Sequence, residues 1–323
     1  MIKTNPAVNA LLGVAIGDAL GVPFEFRTRY EMEKNPAAKE MIGYGTYNQP
    51  EGTWSDDSSL AFCLAESLVG GFDLADMATK FIAWKSESYW AARGKVFDIG
   101  ITTSRAITRL QVILREEKYE NLELLKYQGD EYDNGNGSLM RILPLLFFIK
   151  GKPIAEQFEI IWKVSALTHR HIRAAMCCLI YLRLAEHILN GKSKEQCYAE
   201  MRNEIMHFWT SMEFAEREQK HFERLIQNDI REIAHADLKS GGYVMESIEA
   251  SIWCFLQKDN YVNVVFEAIN LGHDTDTTAA IAGGLAGLFY GAENIPEYWI
   301  ASIARMEDII ELGNQLNKKY IES

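Results

Sequence analysis

The segment GHDTDTTAAIAGGLAGLFY, residues 272–290, joins an acidic, hydroxyl-rich stretch to an apolar run that predicts a buried helix over residues 279–290. In an extended segment ahead of a helix, residues two apart project to the same side, so Asp274 and Asp276 could face one point. Thr277 adds a hydroxyl beside them. The alternative is a helix cap with a spare acid, because Asp and Thr side chains satisfy the free amides of a first helical turn.

Helical periodicity dominates the rest of the chain. Apolar residues recur at three- and four-residue steps, with charges between them, in residues 60–68, 77–84, 99–114, 154–167, 174–189 and 300–316. No comparable period-two stretch occurs. The apolar run 142–149 could be a strand, but Pro144 interrupts it and no hairpin signal flanks it. We therefore predict an all-α fold.

The composition indicates a folded chain without an obvious linker. Hydrophobic residues make up 48% of the 323 positions and charged residues 24%, which excludes disordered and fibrous classes. The seven prolines are scattered, and no Ser/Gly-rich block separates two halves. We expect one domain over residues 1–323. The mixed-charge stretch 213–239 is expected to form exposed helices at its periphery.

Charge and cysteine content limit the partners. A formal net charge of -12 argues against a nucleic-acid groove or an anionic membrane as the main partner. Asp18 interrupts the apolar segment 11–26. We expect no apolar run to approach the roughly 20 residues that span a bilayer. Five cysteines without a CxxC motif favour reduced thiols. These features predict a cytoplasmic protein; they leave its oligomeric state open.

A second acidic stretch, GTWSDDSS at residues 52–59, also runs into an apolar helical segment. Helix capping is the simpler interpretation, but a cap needs only one such residue. The adjacent carboxylates of Asp56 and Asp57 repel each other by about 1 kcal/mol in water and about 4 kcal/mol at an effective dielectric near 20. A nearby cation explains their pairing better.

Together the two acidic stretches supply four carboxylates and several hydroxyls. Glu25, after the Gly-rich segment 17–21, adds a fifth acid. Oxygen donors of this kind suit Mg²⁺ or Mn²⁺ better than zinc. Two divalent cations would leave five carboxylates with a formal charge near minus one, whereas five unpaired buried acids would be costly. The sequence therefore predicts a binuclear metal site.

The loop DNGNGSLMR at residues 133–141 has two interpretations. It could be a Gly/Asn turn before an apolar run, or a backbone cradle whose successive N–H groups, up to Ser138, hold a diphosphate. Arg141 could pair with an acid or with a phosphate. His169 and His171 could be hydrogen-bonded structural residues, and a diphosphate or ribose contact is the alternative for His169.

Several motifs resemble those of the ADP-ribosylglycohydrolases, the family that includes the dinitrogenase reductase-activating glycohydrolase and the jellyfish J1 crystallins. They occur in the family's order and approximate spacing, and the resemblance spans roughly residues 8–295. The matching segments are residues 17–25, 52–58, 133–141, 168–169 and 272–277.

The resemblance implies a compact all-helical fold with two Mg²⁺ or Mn²⁺ ions in a cleft, and it implies roles for individual residues. Glu25 would lie close to the ions. The implied metal ligands are Ser55, Asp56, Asp57, Asp274, Asp276 and Thr277. The expected substrate-site residues are Asp133, Gly135, Asn136, Gly137, Ser138 and His169. The candidates for acid–base catalysis, which the sequence does not rank, are Glu25, Asp57 and Asp133.

Two positions depart from the family's pattern. Ser55 stands where many relatives have threonine, so the hydroxyl is kept. His273 stands where glycine is common, and the resemblance assigns it no role.

The implied activity is metal-dependent hydrolysis of the bond between ADP-ribose and an acceptor on a protein or small molecule. The loop 133–141 looks like the nitrogenase-linked branch and favours arginine as the acceptor, while related chains act on serine-linked, nucleobase-linked or small-molecule ADP-ribose. One rival is an HD-type phosphohydrolase, suggested by the dipeptide His273-Asp274. The other is a non-catalytic ADP-ribose reader or crystallin-like protein, which would be expected to lose metal ligands.

Overall fold

The computed structural model describes residues 4–322, and its regular secondary structure is helical. Within this span no β-strand forms, and two isolated bridges, Tyr44–Gln49 and Gly135–Tyr243, are the only β-type pairings. The all-α prediction is confirmed. The α-helices are α1 (Pro6–Gly21), α2 (Arg29–Lys34), α3 (Asp56–Gly70), α4 (Leu74–Glu87), α5 (Ile101–Arg115), α6 (Glu120–Leu124), α7 (Leu145–Ile149), α8 (Ile154–Ala166), α9 (Ile172–Leu189), α10 (Lys194–Ser211), α11 (Glu216–Gln219), α12 (Val244–Gln257), α13 (Tyr261–Asn270), α14 (Thr275–Tyr290), α15 (Glu297–Ser302) and α16 (Met306–Tyr320).

Short tight turns connect several of these helices. Glu223–Gln227 forms a π-helical turn. The 3₁₀ turns are Val22–Phe24, Gly45–Tyr47, Leu125–Tyr127, Glu131–Asp133, Lys220–Phe222, Ile230–Glu232, His235–Asp237 and Ala292–Asn294.

The periodic segments became helices, with one exception at the C-terminal end. Residues 300–316 were expected to form one helix but are divided between α15 and α16. Arg305, which precedes α16, adopts a left-handed backbone conformation with φ of 51°, and this conformation cannot continue a right-handed helix. The ambiguous run 142–149 is not a strand, because it ends in the short helix α7.

The stretch 213–239 was expected to form exposed helices, and this prediction was wrong. It contains only α11 and a series of short turns. Apolar residues at irregular spacing turn inward, and Phe222, Leu225 and Ile230 are fully buried. The Tyr198 hydroxyl of α10 donates to the Leu225 carbonyl at 2.7 Å and accepts from the Ile230 amide at 3.0 Å. The segment therefore buries several apolar side chains in the core, while most of its charged residues are exposed as expected. The prediction failed for its regular helical structure.

The helices α1 and α14 form an antiparallel pair at the centre of the fold, and small residues allow their backbones to meet. A Cβ atom placed on Gly17 would lie 2.2 Å from the carbonyl oxygen of Ala279. At the end of α1, Gly21 lies against the backbone of Asp276. This contact brings the C-terminal end of α1 beside the acidic start of α14. Helices α3, α9, α12, α13 and α16 pack around the pair.

The first helix also bears on the membrane expectation. Pro6–Phe24 is 19 residues long with a mean hydropathy of 1.6, so by length and composition it could cross a membrane. The sequence-based expectation that no run approaches this length was wrong. Because 94% of the segment is buried within the protein, its apolar surface is covered by α14 and the other core helices.

Candidate metal and substrate site

The acidic starts of α3 and α14 lie against each other. Ser55 is the N-cap of α3, where its hydroxyl accepts from the Asp57 amide and donates to Asp57 Oδ2 at 2.9 Å. The Thr277 hydroxyl, in the first turn of α14, donates to the same oxygen at 3.3 Å. The structure therefore brings Ser55, Asp57 and Thr277 together, although they come from segments 220 residues apart.

The carboxylates form two groups that share Asp276. In the first group, one carboxylate oxygen each of Asp18, Asp57 and Asp276 lie within 4.8 Å of one another. In the second group, one carboxylate oxygen each of Glu25, Asp98 and Asp276 lie within the same distance. Glu25 follows the turn after α1, which places it beside the start of α14. Both acidic stretches and Glu25 thus converge as the sequence predicted.

Asp56 and Asp274 lie at the two sides of this cluster. The Asp56 carboxyl hydrogen-bonds with that of Asp98, which requires one of the two acids to hold a proton when no cation is present. Asp274 Oδ2 accepts from the Asn136 side-chain amide at 2.8 Å. This bond links a predicted metal ligand to the predicted substrate loop.

Asp98 and Tyr47 belong to the cluster but were missed by sequence reasoning. Asp98 is a single acid in the irregular segment 88–100 between α4 and α5, and no neighbouring motif marks it. Tyr47 ends a 3₁₀ turn, and its phenol hydrogen-bonds with both Glu25 and Asp98. The positions of Asp98 and Tyr47 depend on the paths of the two loops that carry them, which no local sequence pattern predicts.

Asp18 was left outside the predicted ligand set, and the structure gives it a clear structural task. It is fully buried in α1 and accepts from the Ser55 amide at 2.9 Å, the Ser58 amide at 3.0 Å and the Ser58 hydroxyl at 2.6 Å. Both of its oxygens are used in these bonds. Asp18 therefore holds the N-terminal turn of α3 and, with it, Asp56 and Asp57.

Replacing Asp18 by alanine is expected to destabilise the fold by about 1–3 kcal/mol per buried donor left without a partner. Three donors on Ser55 and Ser58 lose their acceptor in this variant. Thermal unfolding of the Asp18→Ala variant, measured beside wild type, checks this prediction. An unchanged midpoint would show that Asp18 does not anchor α3.

The chemistry of the cluster fits a divalent cation. Three buried carboxylate oxygens have no hydrogen-bond partner: Glu25 Oε2, Asp57 Oδ1 and Asp276 Oδ2. In residues 4–322 no lysine, arginine or histidine forms an ion pair with these acids. Buried carboxylates are normally paired or bound to a metal, and oxygen donors suit hard cations. The residues present could therefore hold such an ion.

Burial and mutual repulsion raise the pKa of these acids. Burial raises the pKa of Glu25 to about 8, and the carboxylates of Asp98 and Asp274 add to the shift. The pKa of Asp276 is also raised, first by burial and then by Glu25 and Asp57. Without a cation, the cluster therefore retains protons that a solvated acid would release.

The stability of the metal-free protein is therefore expected to fall as the pH rises from about 4.5 to about 8. Unfolded Glu25 releases its proton near its ordinary pKa of 4.5, whereas the folded side chain keeps it until about 8. Unfolding then releases a proton in this window, and stability declines with pH. Thermal unfolding in chelator at several pH values measures the effect, and Glu25→Gln should reduce it. A rise in stability over the window would contradict the prediction.

The predicted substrate loop is anchored to the segment before α12. The Val244 amide donates to the Asn134 carbonyl at 3.0 Å, and the Asn136 amide donates to the Gly242 carbonyl at 3.1 Å. These bonds flank the bridge between Gly135 and Tyr243. The loop is thus held on one side by segment 242–244 and reaches the acids through Asn136.

His169 packs beneath this loop as a neutral ring. A Cβ atom on Gly137 would lie 2.6 Å from His169 Cε1, so the loop requires glycine there. Burial, together with the charge of Arg141, lowers the pKa of His169 to about 3. Its Nδ1 lies 2.9 Å from the Thr168 hydroxyl. A contact from His169 to a ligand would therefore be a neutral hydrogen bond.

Arg141 and Ser138 lie behind the loop. Arg141 is fully buried and donates to the carbonyls of Gly137 and Val164, and no acid of residues 4–322 forms an ion pair with it. Ser138 is also fully buried, and its hydroxyl accepts from that of Ser165 at 2.9 Å. The Ser138 side chain therefore lies in the interior, while Asn136 reaches the acid Asp274.

Asp133 lies apart from the acid groups. Its Oδ2 accepts from the guanidinium of Arg170, with both nitrogens at 2.8 Å. Of the three candidates for acid–base catalysis, Glu25 and Asp57 lie within the acid cluster and Asp133 does not. Its catalytic role stays a prediction.

The HD-type alternative requires imidazole ligands, and within residues 4–322 no histidine belongs to either of the two acid groups that share Asp276. His171 belongs to a separate group with Glu131 and Glu218. His171 lies instead 3.5 Å from Glu131, next to the ion pairs that Arg173 makes with Glu131 and Glu218. His273 has an exposed side chain. The site therefore presents an oxygen-only donor set.

Known proteins are similar to this chain over most of its length. The model of the ADP-ribosylglycohydrolase family matches residues 3–323. The chain is 32% identical to the ADP-ribosylarginine hydrolase Tri1 of Pseudomonas putida, over 96% of this chain and 77% of the relative. The Serratia proteamaculans Tri1 is 30% identical, over 96% of this chain and 78% of the relative.

Two further similarities cover nearly the whole of each chain compared. The ADP-ribosyl-[dinitrogen reductase] glycohydrolase of Rhodospirillum rubrum is 28% identical, over 92% of this chain and 90% of the relative. A solved structure described as an ADP-ribosylglycohydrolase-related protein complex superposes with a TM-score of 0.79 at 28% identity, covering 98% of both chains.

Proposed function

The chain belongs to the ADP-ribosylglycohydrolase family, whose members hydrolyse glycosidic bonds to ADP-ribose, and we propose that its acceptor is arginine. The two Tri1 relatives are ADP-ribosylarginine hydrolases, and both are similar to the chain over almost its whole length. The Rhodospirillum relative is named for an ADP-ribosylated dinitrogen reductase. These relatives support an ADP-ribosylated protein as the substrate.

The proposed catalyst is a pair of divalent cations, Mg²⁺ or Mn²⁺, at the acid cluster. The observation that carries this proposal is the set of three unpartnered buried oxygens on Glu25, Asp57 and Asp276. When bound, such ions would supply Lewis acidity and orient a water and the ribose hydroxyls. Their proposed ligands are Ser55, Asp56, Asp57, Asp274, Asp276 and Thr277.

The protein's own side chains are proposed to orient the substrate and carry its protons. Glu25 has an unpartnered oxygen, Oε2, and its carboxyl hydrogen-bonds with Tyr47, so it is our first candidate to hold a proton. Asp57 is the second. Asp98 joins them as a candidate because its carboxyl shares hydrogen bonds with Tyr47 and Asp56. Asp133 would first have to leave its ion pair with Arg170.

The loop that carries Gly135, Asn136 and Gly137 is proposed to hold the diphosphate through the backbone amides of Gly135 and Gly137, since the Asn136 amide already donates to the Gly242 carbonyl. Asn136 supports this placement, because its side chain reaches Asp274 at 2.8 Å and Ser247 at 2.9 Å. The loop therefore lies within one side chain of the proposed metal ligands. His169 would support the loop or contact the ligand as a neutral group.

A non-catalytic ADP-ribose reader would not need the whole acid set. The convergence of acids from α3, α14 and the segment after α1 supports catalysis instead. A cytoplasmic location is proposed as well, and it is supported by five cysteines that are all buried and free of disulfides.

A substrate panel tests the proposed function. ADP-ribose release is measured from ADP-ribosyl-arginine, ADP-ribosyl-serine and a nucleobase-linked substrate, each with Mg²⁺, Mn²⁺ or a chelator. We expect metal-dependent release that is fastest from the arginine-linked substrate. Faster release from another substrate would overturn the acceptor, and ADP-ribose binding without turnover of any substrate would support the reader.

A further inference from the structure

A cavity lies beside the acid cluster. Its volume is about 330 Å³, and it is lined by Arg29, Lys239, Glu246 and His273 together with the backbone around Ser240. The roles proposed above use none of these side chains.

The cavity carries an excess of positive charge in an acidic protein. The Arg29 guanidinium donates to the carbonyls of Leu271 at 3.2 Å and His235 at 2.9 Å, and no carboxylate of residues 4–322 forms an ion pair with it. Lys239 is largely exposed, and its ammonium lies 3.7 Å from Glu246. The second oxygen of Glu246 accepts from the Gly241 amide at 3.2 Å. Glu33, on the same helix α2, attracts the Arg29 guanidinium without forming an ion pair with it, so this guanidinium can still take an anionic partner.

His273 stands at a backbone position that favours glycine. Its φ is 62°, in the left-handed region, where a side chain causes strain. Its amide donates to the Arg27 carbonyl at 2.6 Å, and its carbonyl accepts from the Phe26 amide at 2.7 Å. The backbone is thus tied to the segment that follows Glu25, while the exposed imidazole lines the cavity. A strained side chain at this place suggests a role for the ring.

Asp274 connects the cavity to the cluster. Its amide donates to the carbonyl of Ser240, which lines the cavity, at 2.9 Å. Its side chain is bonded to Asn136 of the proposed diphosphate loop. The loop and the segment that lines the cavity therefore contact Asp274 through different groups, its side chain and its backbone amide.

We propose that this cavity is an acceptor subsite that binds a carboxylate of the protein substrate, on a residue close to the ADP-ribosylated arginine. The inference rests on the proposed function. Arg29, Lys239 and His273 supply the donors that recognise a carboxylate. A charge at the rim of a binding site chiefly tunes partner selection, so the subsite sets substrate preference rather than the chemical step.

The test compares two peptides that carry one ADP-ribosyl-arginine each, with either glutamate or glutamine as the neighbouring residue. The kcat/KM ratio between the two peptides is measured for wild type, His273→Gly, Lys239→Gln and the double variant. Glycine suits the backbone at residue 273, so that variant should fold. Lys118→Gln, an exposed lysine paired with Glu116 elsewhere on the surface, is the matched control.

We expect wild type to prefer the glutamate peptide about three- to fivefold, as partly exposed ion pairs allow. Each single variant should lower the ratio, the double variant should lower it further although Arg29 remains, and the control should not change it. A wild-type ratio of one, or variants that keep the preference, would overturn the subsite while leaving the proposed function standing. If neither peptide is hydrolysed, the proposed function fails and the subsite with it.

Free ADP-ribose distinguishes a carboxylate from a phosphate as the occupant. Its inhibition constant is measured for wild type and for the double variant. An unchanged constant supports an acceptor subsite. If the double variant binds ADP-ribose more weakly, by the same factor as its peptide preference falls, a phosphate of ADP-ribose occupies the cavity and the proposal is contradicted.

Discussion

Asp276→Asn is expected to lower the rate of ADP-ribose release by about a thousandfold or more, because losing a metal ligand removes several kcal/mol of transition-state stabilisation. Asp276 belongs to both acid groups, and its Oδ2 is one of the unpartnered oxygens. The substitution keeps the shape of the side chain and removes its charge. Steady-state hydrolysis of ADP-ribosyl-arginine measures the loss, and thermal unfolding with and without Mn²⁺ shows whether metal stabilisation is lost with it.

Asp76→Asn is the matched control for this variant. Asp76 also lies in the first turn of a helix, α4, but it is only half-buried and faces Lys80 at 3.9 Å. Its replacement should leave both hydrolysis and the effect of metal unchanged. If Asp276→Asn kept more than about a tenth of the wild-type rate, a metal centre built on this carboxylate would be untenable.

Gly17→Ala is expected to destabilise the protein by about 1–3 kcal/mol or more from overpacking. The added Cβ would lie 2.2 Å from a backbone oxygen of α14, so the two central helices would have to move apart. That movement would displace the start of α14 and its acids. Thermal or denaturant unfolding measures the stability, and hydrolysis measures the displacement.

Gly70→Ala is the control for the added methyl group. Gly70 ends α3, and a Cβ there would meet nothing within 4 Å. Alanine favours a helix over glycine by up to about 1 kcal/mol, so this variant should be neutral or slightly more stable. If both variants behaved alike, the close packing of α1 and α14 would not be what sets stability.

Much of the architecture follows from local patterns. The period of the apolar residues predicted the long helices, because a buried helical face requires apolar residues at regular three- and four-residue steps. The acids at 56–57 and 274–276 could be recognised because each group stands at the start of such a helix. We could predict that these acids converge because carboxylates that repel one another are best explained by a shared cation.

The remaining features depend on contacts between distant segments. Asp98 is an isolated acid in a loop, and only the path of segment 88–100 brings it to Asp56. Asp133 lies in a motif of the right composition, but Arg170 is close enough to pair with it. The burial of Phe222 and Ile230 likewise required partners on α10 that periodicity in 213–239 did not reveal.

The most direct test of the two-metal site is to count bound ions while activity returns. The protein is stripped with chelator, Mn²⁺ is added back in steps, and bound metal and ADP-ribose release from ADP-ribosyl-arginine are measured on the same samples. We predict no release from the stripped protein and full activity at about two ions per chain. Full activity of the stripped protein, with no metal bound, would contradict the account.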